Sequence, residues 1–224
     1  TLMAGIPLPR QDELREEFRK VLGILETTPT IDKHYGISRE EFLKRQRSVS
    51  GVLEEMELSV GFVFSDEHYC GDVPYLGGNN NISIEQVAGA IGSGGFHILA
   101  GLEGGYVAEQ MADRAGATVH KVEMLQLADE KYPIRAERLE DALAAAAGEQ
   151  PVKRIGLLTP RQVIPDGIVH YLNCLVGAEN VVDAQLPFFH IKYEKSNDEM
   201  RLIKDANVIA DAMMRSMLAV LKPG

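Results

Sequence analysis

Short apolar runs alternate with amphipathic stretches of helical period along most of this chain, and few folds accommodate that alternation. Ser59 to Ser65 (SVGFVFS), Phe96 to Ala100 and Arg154 to Leu158 are too short for helices and read as strands buried on both faces. Thr118 to Leu125 and Val181 to Ala184 extend the series. Helices are predicted between them, at Val107 to Ala115, Ala136 to Ala147 and Asp166 to Leu175. A further helix opens at Ser38, where Glu41 stands in capping-box spacing and Phe42, Val49, Val52, Leu53 and Met56 supply an apolar surface for a sheet. Gly71 to Asn81, rich in Gly, Pro and Asn, reads as a loop. The order implies an α/β layer fold with a largely parallel sheet and right-handed crossovers.

Helices are also predicted at both ends. Gln11 to Glu26 sets Leu14, Phe18, Val21, Leu22 and Leu25 on one face before Thr27-Thr28-Pro29 breaks it. Ser196 to Gly224 is the better specified. Ser196 and Glu199 form a capping box, Asp198 and Glu199 complement the positive end of the macrodipole, and Lys222 closes the other end. Met200, Ile203, Asn207, Ala210, Met214, Met217 and Leu221 form a stripe for one neighbour, and Leu202, Val208, Ile209, Met213 and Val220 widen it. So much apolar surface needs burial on more than one side, either in a terminal helix packed on its own domain or, the sharper expectation, in a helix shared with a domain beyond Gly224 or with a second chain. The first Met at position 3 reads in the same way, as a processed or expressed fragment.

A chain of 224 residues, 45% hydrophobic and 25% charged, can bury one or two real cores. Its net charge of −10 argues against nucleic acid or an anionic membrane as partner. Cys70 and Cys174 fit neither a disulfide framework nor a zinc pattern, so buried thiols in a reducing, cytoplasmic setting are expected. No apolar run is long enough to span a bilayer, and the sequence shows no signal-peptide layout.

Residue patterns that carry chemistry are sparse. Ile98 to Glu123 runs strand, Gly101-Leu-Glu-Gly104-Gly105, helix, strand and acid, the layout of a dinucleotide site. The fingerprint fails at its third place, Glu103, whose carboxylate repels phosphate, and at its sixth, where Tyr106 fills close-packing space. A tight strand-to-helix turn is the better reading. His34, His68, His97, His120, His170 and His190 show no paired helical spacing and form no zinc set. His68 and Cys70 would share a face only on a strand, and His97, in an apolar strand, reads as a satisfied core histidine. No Gly-x-Ser-x-Gly elbow occurs. The amides of Gly77 to Asn81 stand near a strand end, where α/β proteins bind ligands, but read first as a turn. No catalytic, cofactor-binding or metal residue is assigned.

Ile191 to Gly224, with Lys195-Ser196, Glu199, the Ala206/Ala210/Asp211 spacing and the closing Lys-Pro-Gly, resembles the junction in creatinase, prolidase and aminopeptidase P enzymes. Tyr75, Leu76 and Gly78 are similar to that family's Tyr-Leu-x-Gly at a strand end, and Arg154 to Ala184 fits the strand, helix and strand that precede the junction. The resemblance covers residues 40 to 224. It implies a leading helix and linker over 1–37, a creatinase-type, ribonuclease H-like N-terminal α/β domain over 38–190 with a mixed, largely parallel sheet flanked by helices on both faces, and over 191–224 the first helix of an absent pita-bread domain. That domain would hold the catalytic set, with two divalent ions (Mn, Zn or Co) in the peptidase branch and none in the creatinase branch. The implied role is that of a non-catalytic domain that supports homodimerisation and shapes access to the neighbouring subunit's active site, with no activity expected of this chain alone. The alternatives are a free-standing dimerising module and a nucleotide-binding enzyme using the Gly101 turn.

Overall fold

The computed structural model describes residues 8–78, 86–126, 136–148 and 150–222. In chain order its elements are α1 (Leu8–Thr27), α2 (Arg39–Glu55), β1 (Val60–Ser65), α3 (Asp72–Gly77), β2 (Val87–Gly92), β3 (Gly95–Ala100), α4 (Leu102–Ala115), β4 (Thr118–Lys121), α5 (Leu139–Ala146), β5 (Ile155–Leu157), α6 (Asp166–Val176), β6 (Val181–Asp183), α7 (Gln185–Tyr193) and α8 (Asn197–Val220). They form two compact units: residues 37–195, and a unit made of residues 1–36 with 196–224.

The larger unit is built on a six-stranded sheet in the order β4-β3-β2-β1-β5-β6. β1, β2 and β3 form an antiparallel meander, while β4 joins β3, and β5 and β6 extend β1, in parallel. This is the mixed, largely parallel sheet expected. Its antiparallel part comes from β2, which the sequence pattern does not reveal. Val87-Ala-Gly-Ala-Ile-Gly92 is short of β-branched and aromatic residues, yet every residue in it is buried. A Cβ at Gly89 would stand 2.6 Å from the Phe96 ring and 2.7 Å from Val63 Cγ2, so only glycine lets these neighbours close over the strand.

Side chains alternate across β1. Phe62 and Phe64 enter a core with Leu99, Leu143, Ile168 and Leu172, covered by α5 and α6. Val63 points the other way, into a core with Val49, Leu53, Leu76, Ile91 and Phe188 beneath α2, α3 and α7. Helices thus cover both faces. Ser38 caps α2 by accepting from the Glu41 N–H, while the Glu41 carboxylate accepts from Arg45 Nε at 3.1 Å.

Three other expectations are corrected. Gly71 to Gly78 contains a helix rather than a loop, because Pro74 falls in the first turn, where a missing N–H costs nothing. The helix after Gly101 starts at Leu102, so Gly104 and Gly105 lie inside it. The run expected as one strand to Leu125 ends at Lys121 and continues as a 3-10 turn over Glu123–Leu125.

In the smaller unit α1 and α8 lie antiparallel. Lys222 Nζ meets Glu17 Oε1 at 2.8 Å at one end, and the Tyr35 hydroxyl donates to Asp198 Oδ1 at 2.6 Å at the other. The capping box is present, Ser196 accepting from the Glu199 N–H and the Glu199 carboxylate from the Ser196 N–H. Lys222 thus ion-pairs with α1 besides standing near the α8 end. The packed face of α8 is Leu202, Val208, Ala212, Ser216 and Ala219, and that of α1 includes Leu14, Val21 and Ile24. The stripe expected to meet a neighbour is the outward one, with Met214 56%, Met217 63% and Leu221 74% exposed. Phe18 and Leu25 of α1 also face outward.

Candidate functional site

The carboxyl ends of β1 and β5 form the best-built polar cluster. The two strands are parallel neighbours, yet β1 leads to α3 on one face and β5 to α6 on the other. Such a switch point is where open α/β sheets place ligands. Asp72, 1% exposed, accepts from the Thr159 hydroxyl at 2.7 Å with Oδ2 and pairs with Lys192 Nζ through Oδ1. Thr159 Oγ1 in turn accepts from the Phe64 N–H at 2.9 Å, and Ser65 Oγ from the Val73 N–H at 3.1 Å. Lys192 Nζ also lies 4.5 Å and 4.7 Å from the ring centres of Phe188 and Phe189. These groups are turned on one another. The cluster fastens α7 to the strand ends and presents no activated nucleophile.

Beside it sits the Tyr75-Leu76-Gly77-Gly78 turn. The Arg45 guanidinium lies 4.3 Å from the Tyr75 ring centre and donates to the Tyr75 carbonyl at 3.0 Å. Tyr75 meets Phe188 edge to face at 6.0 Å, and its hydroxyl donates to the Ile191 carbonyl at 3.4 Å. Gln46 donates to the carbonyls of Leu76 and Ala115 at 3.0 Å and 2.9 Å. Gly78 closes the turn at φ +66 with the Phe42 ring 3.1 Å from where a Cβ would stand. The turn therefore knots α2, α3, α4 and α7 together. Arg45 and Gln46, missed in the sequence, carried a usable signal: they are long polar residues on the apolar face of α2, both buried.

The remaining sequence candidates do not converge. Gly101 caps α4 in extended conformation, Tyr106 lies under Lys121 with Nζ 3.9 Å from its ring centre, and Lys121 pairs with Glu109 at 2.5 Å. Glu123 sits in the 3-10 turn with its N–H donating to the Glu137 carbonyl at 3.1 Å. Asn79 to Asn81 of the glycine- and asparagine-rich run lie outside the described residues. His68 and Cys70 are in a loop ordered by Asp66, which accepts from the His68 and Tyr69 N–H groups, so strand geometry does not align them. Cys70 and Cys174 are both exposed and reduced, against the expectation of burial: one lies in that loop, the other on the outer face of α6. Cys174 Sγ stands 3.6 Å from His170 Nε2, an i,i+4 pair that a search for paired histidines alone passes over. His190 lies in α7 with its ring centre 5.7 Å from that of Tyr193, and His34 belongs to the smaller unit. His97 is buried at 6% exposure and satisfied, bonded to His120 at 2.8 Å and to the Gly94 carbonyl at 3.3 Å. Among the described residues no three His, Cys, Asp or Glu side chains are placed to hold a metal ion, and no metal-dependent step is drawn through them. Among the same residues no helix is long and apolar enough to cross a membrane.

No protein-family model matches the sequence, and a comparison with curated proteins gives no match. Solved structures do match. A prolidase from Pyrococcus horikoshii OT3 superposes with a TM-score of 0.57 at 12% identity, over 81% of this chain and 44% of that one. A Xaa-Pro dipeptidase from Bacillus anthracis gives 0.56 at 14% identity, over 82% and 44%. An X-Pro aminopeptidase from Thermotoga maritima MSB8 gives 0.53 at 10% identity, over 78% and 48%. At these identities the likeness is one of fold, and this chain has a prolidase- and Xaa-Pro-peptidase-like fold. It spans about half the length of the structures it matches.

Proposed function

We propose that this chain is the non-catalytic N-terminal part of a hydrolase of the Xaa-Pro peptidase type, prolidase- or aminopeptidase P-like, with the creatinase branch as the neighbouring possibility. Its work on this reading is mechanical. The 37–195 unit pairs copies and shapes access to the neighbouring subunit's active site, and α8 opens a catalytic domain that follows it. The observation that carries the reading is the unequal coverage: the fold accounts for 81% of this chain but 44% of the prolidase. The outward stripe of α8 is then the surface that the catalytic domain covers. The two metal ions of the peptidase branch would belong to that domain, and no residue here is assigned to them.

Incubating the purified chain with Xaa-Pro dipeptides and Mn²⁺ or Zn²⁺ tests this. No turnover is expected, and metal-dependent release of proline by these residues alone would overturn it. The parent sequence beyond Gly224 should continue into a series of Asp, Asp, His, Glu and Glu. A continuation without one removes the peptidase branch.

A second reading, a free-standing module that pairs through α8, is favoured by Met213, Met217, Leu218 and Leu221, each more than 60% exposed. Light scattering separates the two. A dimer that becomes monomeric in Met214→Lys/Met217→Lys supports the module, and a wild-type chain that is monomeric at all concentrations dismisses it.

A further inference from the structure

His97, His120 and Glu137 form a hydrogen-bonded line across the β3–β4 edge, and its proton count does not match the ordinary states of its members. His97 Nε2 lies 3.3 Å from the Gly94 carbonyl, which only accepts, so that nitrogen carries a proton. His97 Nδ1 lies 2.8 Å from His120 Nε2, a contact that needs one proton between the two nitrogens. His120 Nδ1 lies 2.6 Å from Glu137 Oε2, and this contact needs one as well. The three contacts therefore hold three protons, whereas two neutral imidazoles and a carboxylate bring two. Closing all three contacts at once therefore takes a third proton on the line, and the 2.6 Å His120–Glu137 contact is the shortest place for it to be shared.

The two rings sit among apolar groups, while Glu137 closes the line at the surface with its side chain half exposed. β2 presents Ala90 opposite His97, and α5 presents the apolar Leu139, Leu143 and Ala146 to this side of the sheet. Lys121 is engaged with Glu109, Glu123 sits in the 3-10 turn, Asp141 lies in the first turn of α5, and Arg138 and Glu140 are paired, with Tyr171 donating to Glu140. The charged groups that act on His97 are His120 and Glu137. The backbone fixes Glu137 beside β4, its N–H donating to the Lys121 carbonyl at 2.7 Å.

We propose that the line is a one-proton latch, which with its third proton ties the β2–β3 turn, β4 and the approach to α5 together, and which opens at one bond when that proton leaves. Raising the pH releases it. Lowering the pH far enough to charge His97 also breaks it, because two N–H donors then face each other. Burial holds His97 below the usual imidazole range, so its Nδ1 stays an acceptor as the pH falls past that range. The sign follows: the stabilisation that needs neutral His97 is complete above the ordinary imidazole value of about 6.5 and is lost as the pH drops through the lowered one. The latch is closed between that lower limit and the release of the shared proton.

Amide hydrogen exchange at Glu123 and Glu137, corrected for the intrinsic pH dependence, together with imidazole ¹⁵N shifts, tests the latch. In the wild type, protection should fall roughly tenfold or more as the pH rises through release of the shared proton. Glu137→Gln should keep its protection with no such fall, since the amide can turn to donate to His120 Nδ1 and complete the line with neutral rings. His120→Phe should lose protection at every pH. Wild type and Glu137→Gln with the same pH profile overturn the proposal. So does a ¹⁵N spectrum in which His97 Nδ1 carries the proton while the ring is neutral, a reading that does not depend on how any variant folds.

Discussion

Asp72 and Lys192 stand 120 residues apart in sequence and meet at the ends of β1 and β5 with the carboxylate 1% exposed. An ion pair in that position has already lost its water, so removing one partner leaves the other stranded. Asp72→Ala should cost about 3 kcal/mol in urea unfolding, with Lys192 left over the phenylalanine rings. Thr159→Val, which removes one donor to the same carboxylate and keeps the charge pair, should cost about 1–2 kcal/mol. Equal costs would mean that the pair contributes no more than its hydrogen bond. The pairing was not legible in the sequence, because nothing in a lone Asp after a glycine or a Lys in an aromatic helix names its partner. Gly78 was legible, since a turn that needs φ +66 shows itself as glycine, whereas Tyr75 stood out only by likeness to a strand-end Tyr-Leu-x-Gly and lies in α3. Gly89→Ala, which sets a methyl 2.6 Å from the Phe96 ring, should cost about 1–3 kcal/mol, measured in the same unfolding experiment.

At the scale of elements, helices with strong caps and strands with branched or aromatic side chains were readable, and elements made of small residues were not. β2 is glycine, alanine and two branched residues, so its burial is decided by the neighbours that close over it. α3 carries Gly and Pro, which as composition signal a loop and by position fit a helix start. α8 was legible as a helix, but which of its two apolar surfaces packs on α1 was not. Both the Met200–Leu221 stripe and the Leu202–Ala219 face are apolar, so amphipathic period alone does not choose between them. Packing on α1 selects the face with the smallest side chains at its centre, Ala212 and Ser216, which let two helices approach closely. Ala212→Glu should therefore destabilise the helix pair by about 2 kcal/mol or more, while Met214→Glu changes it by less than about 0.5 kcal/mol. Thermal unfolding followed by circular dichroism reads both. Equal shifts, or the reverse order, would place the stripe rather than Ala212 on the packed face. Ser196→Ala should cost about 1 kcal/mol through the lost cap, independently of either face.

The whole molecule joins two units of unequal robustness. Residues 37–195 bury a core on each side of a six-stranded sheet. The unit drawn from the two ends is a pair of helices in which Ala212 is the one α8 residue counted as buried. A pair of that size removes little apolar surface from water, and tertiary packing is what supplies most of a helix's stability. Calorimetry should accordingly resolve two transitions, with the helix pair unfolding first and the sheet unit later. Leu14→Asp, on the packed face of α1, should lower the first transition and leave the second in place. A single transition that the variant moves as a whole would mean that the two units unfold as one. The same measurement bears on the proposed function. If α8 is the first element of a catalytic domain, a longer protein that includes that domain should bury the outward stripe of Met214, Met217 and Leu221, and the early transition should rise to merge with that of the added domain. An early transition unchanged by the extension would leave α8 uncovered and return the choice to the free-standing module.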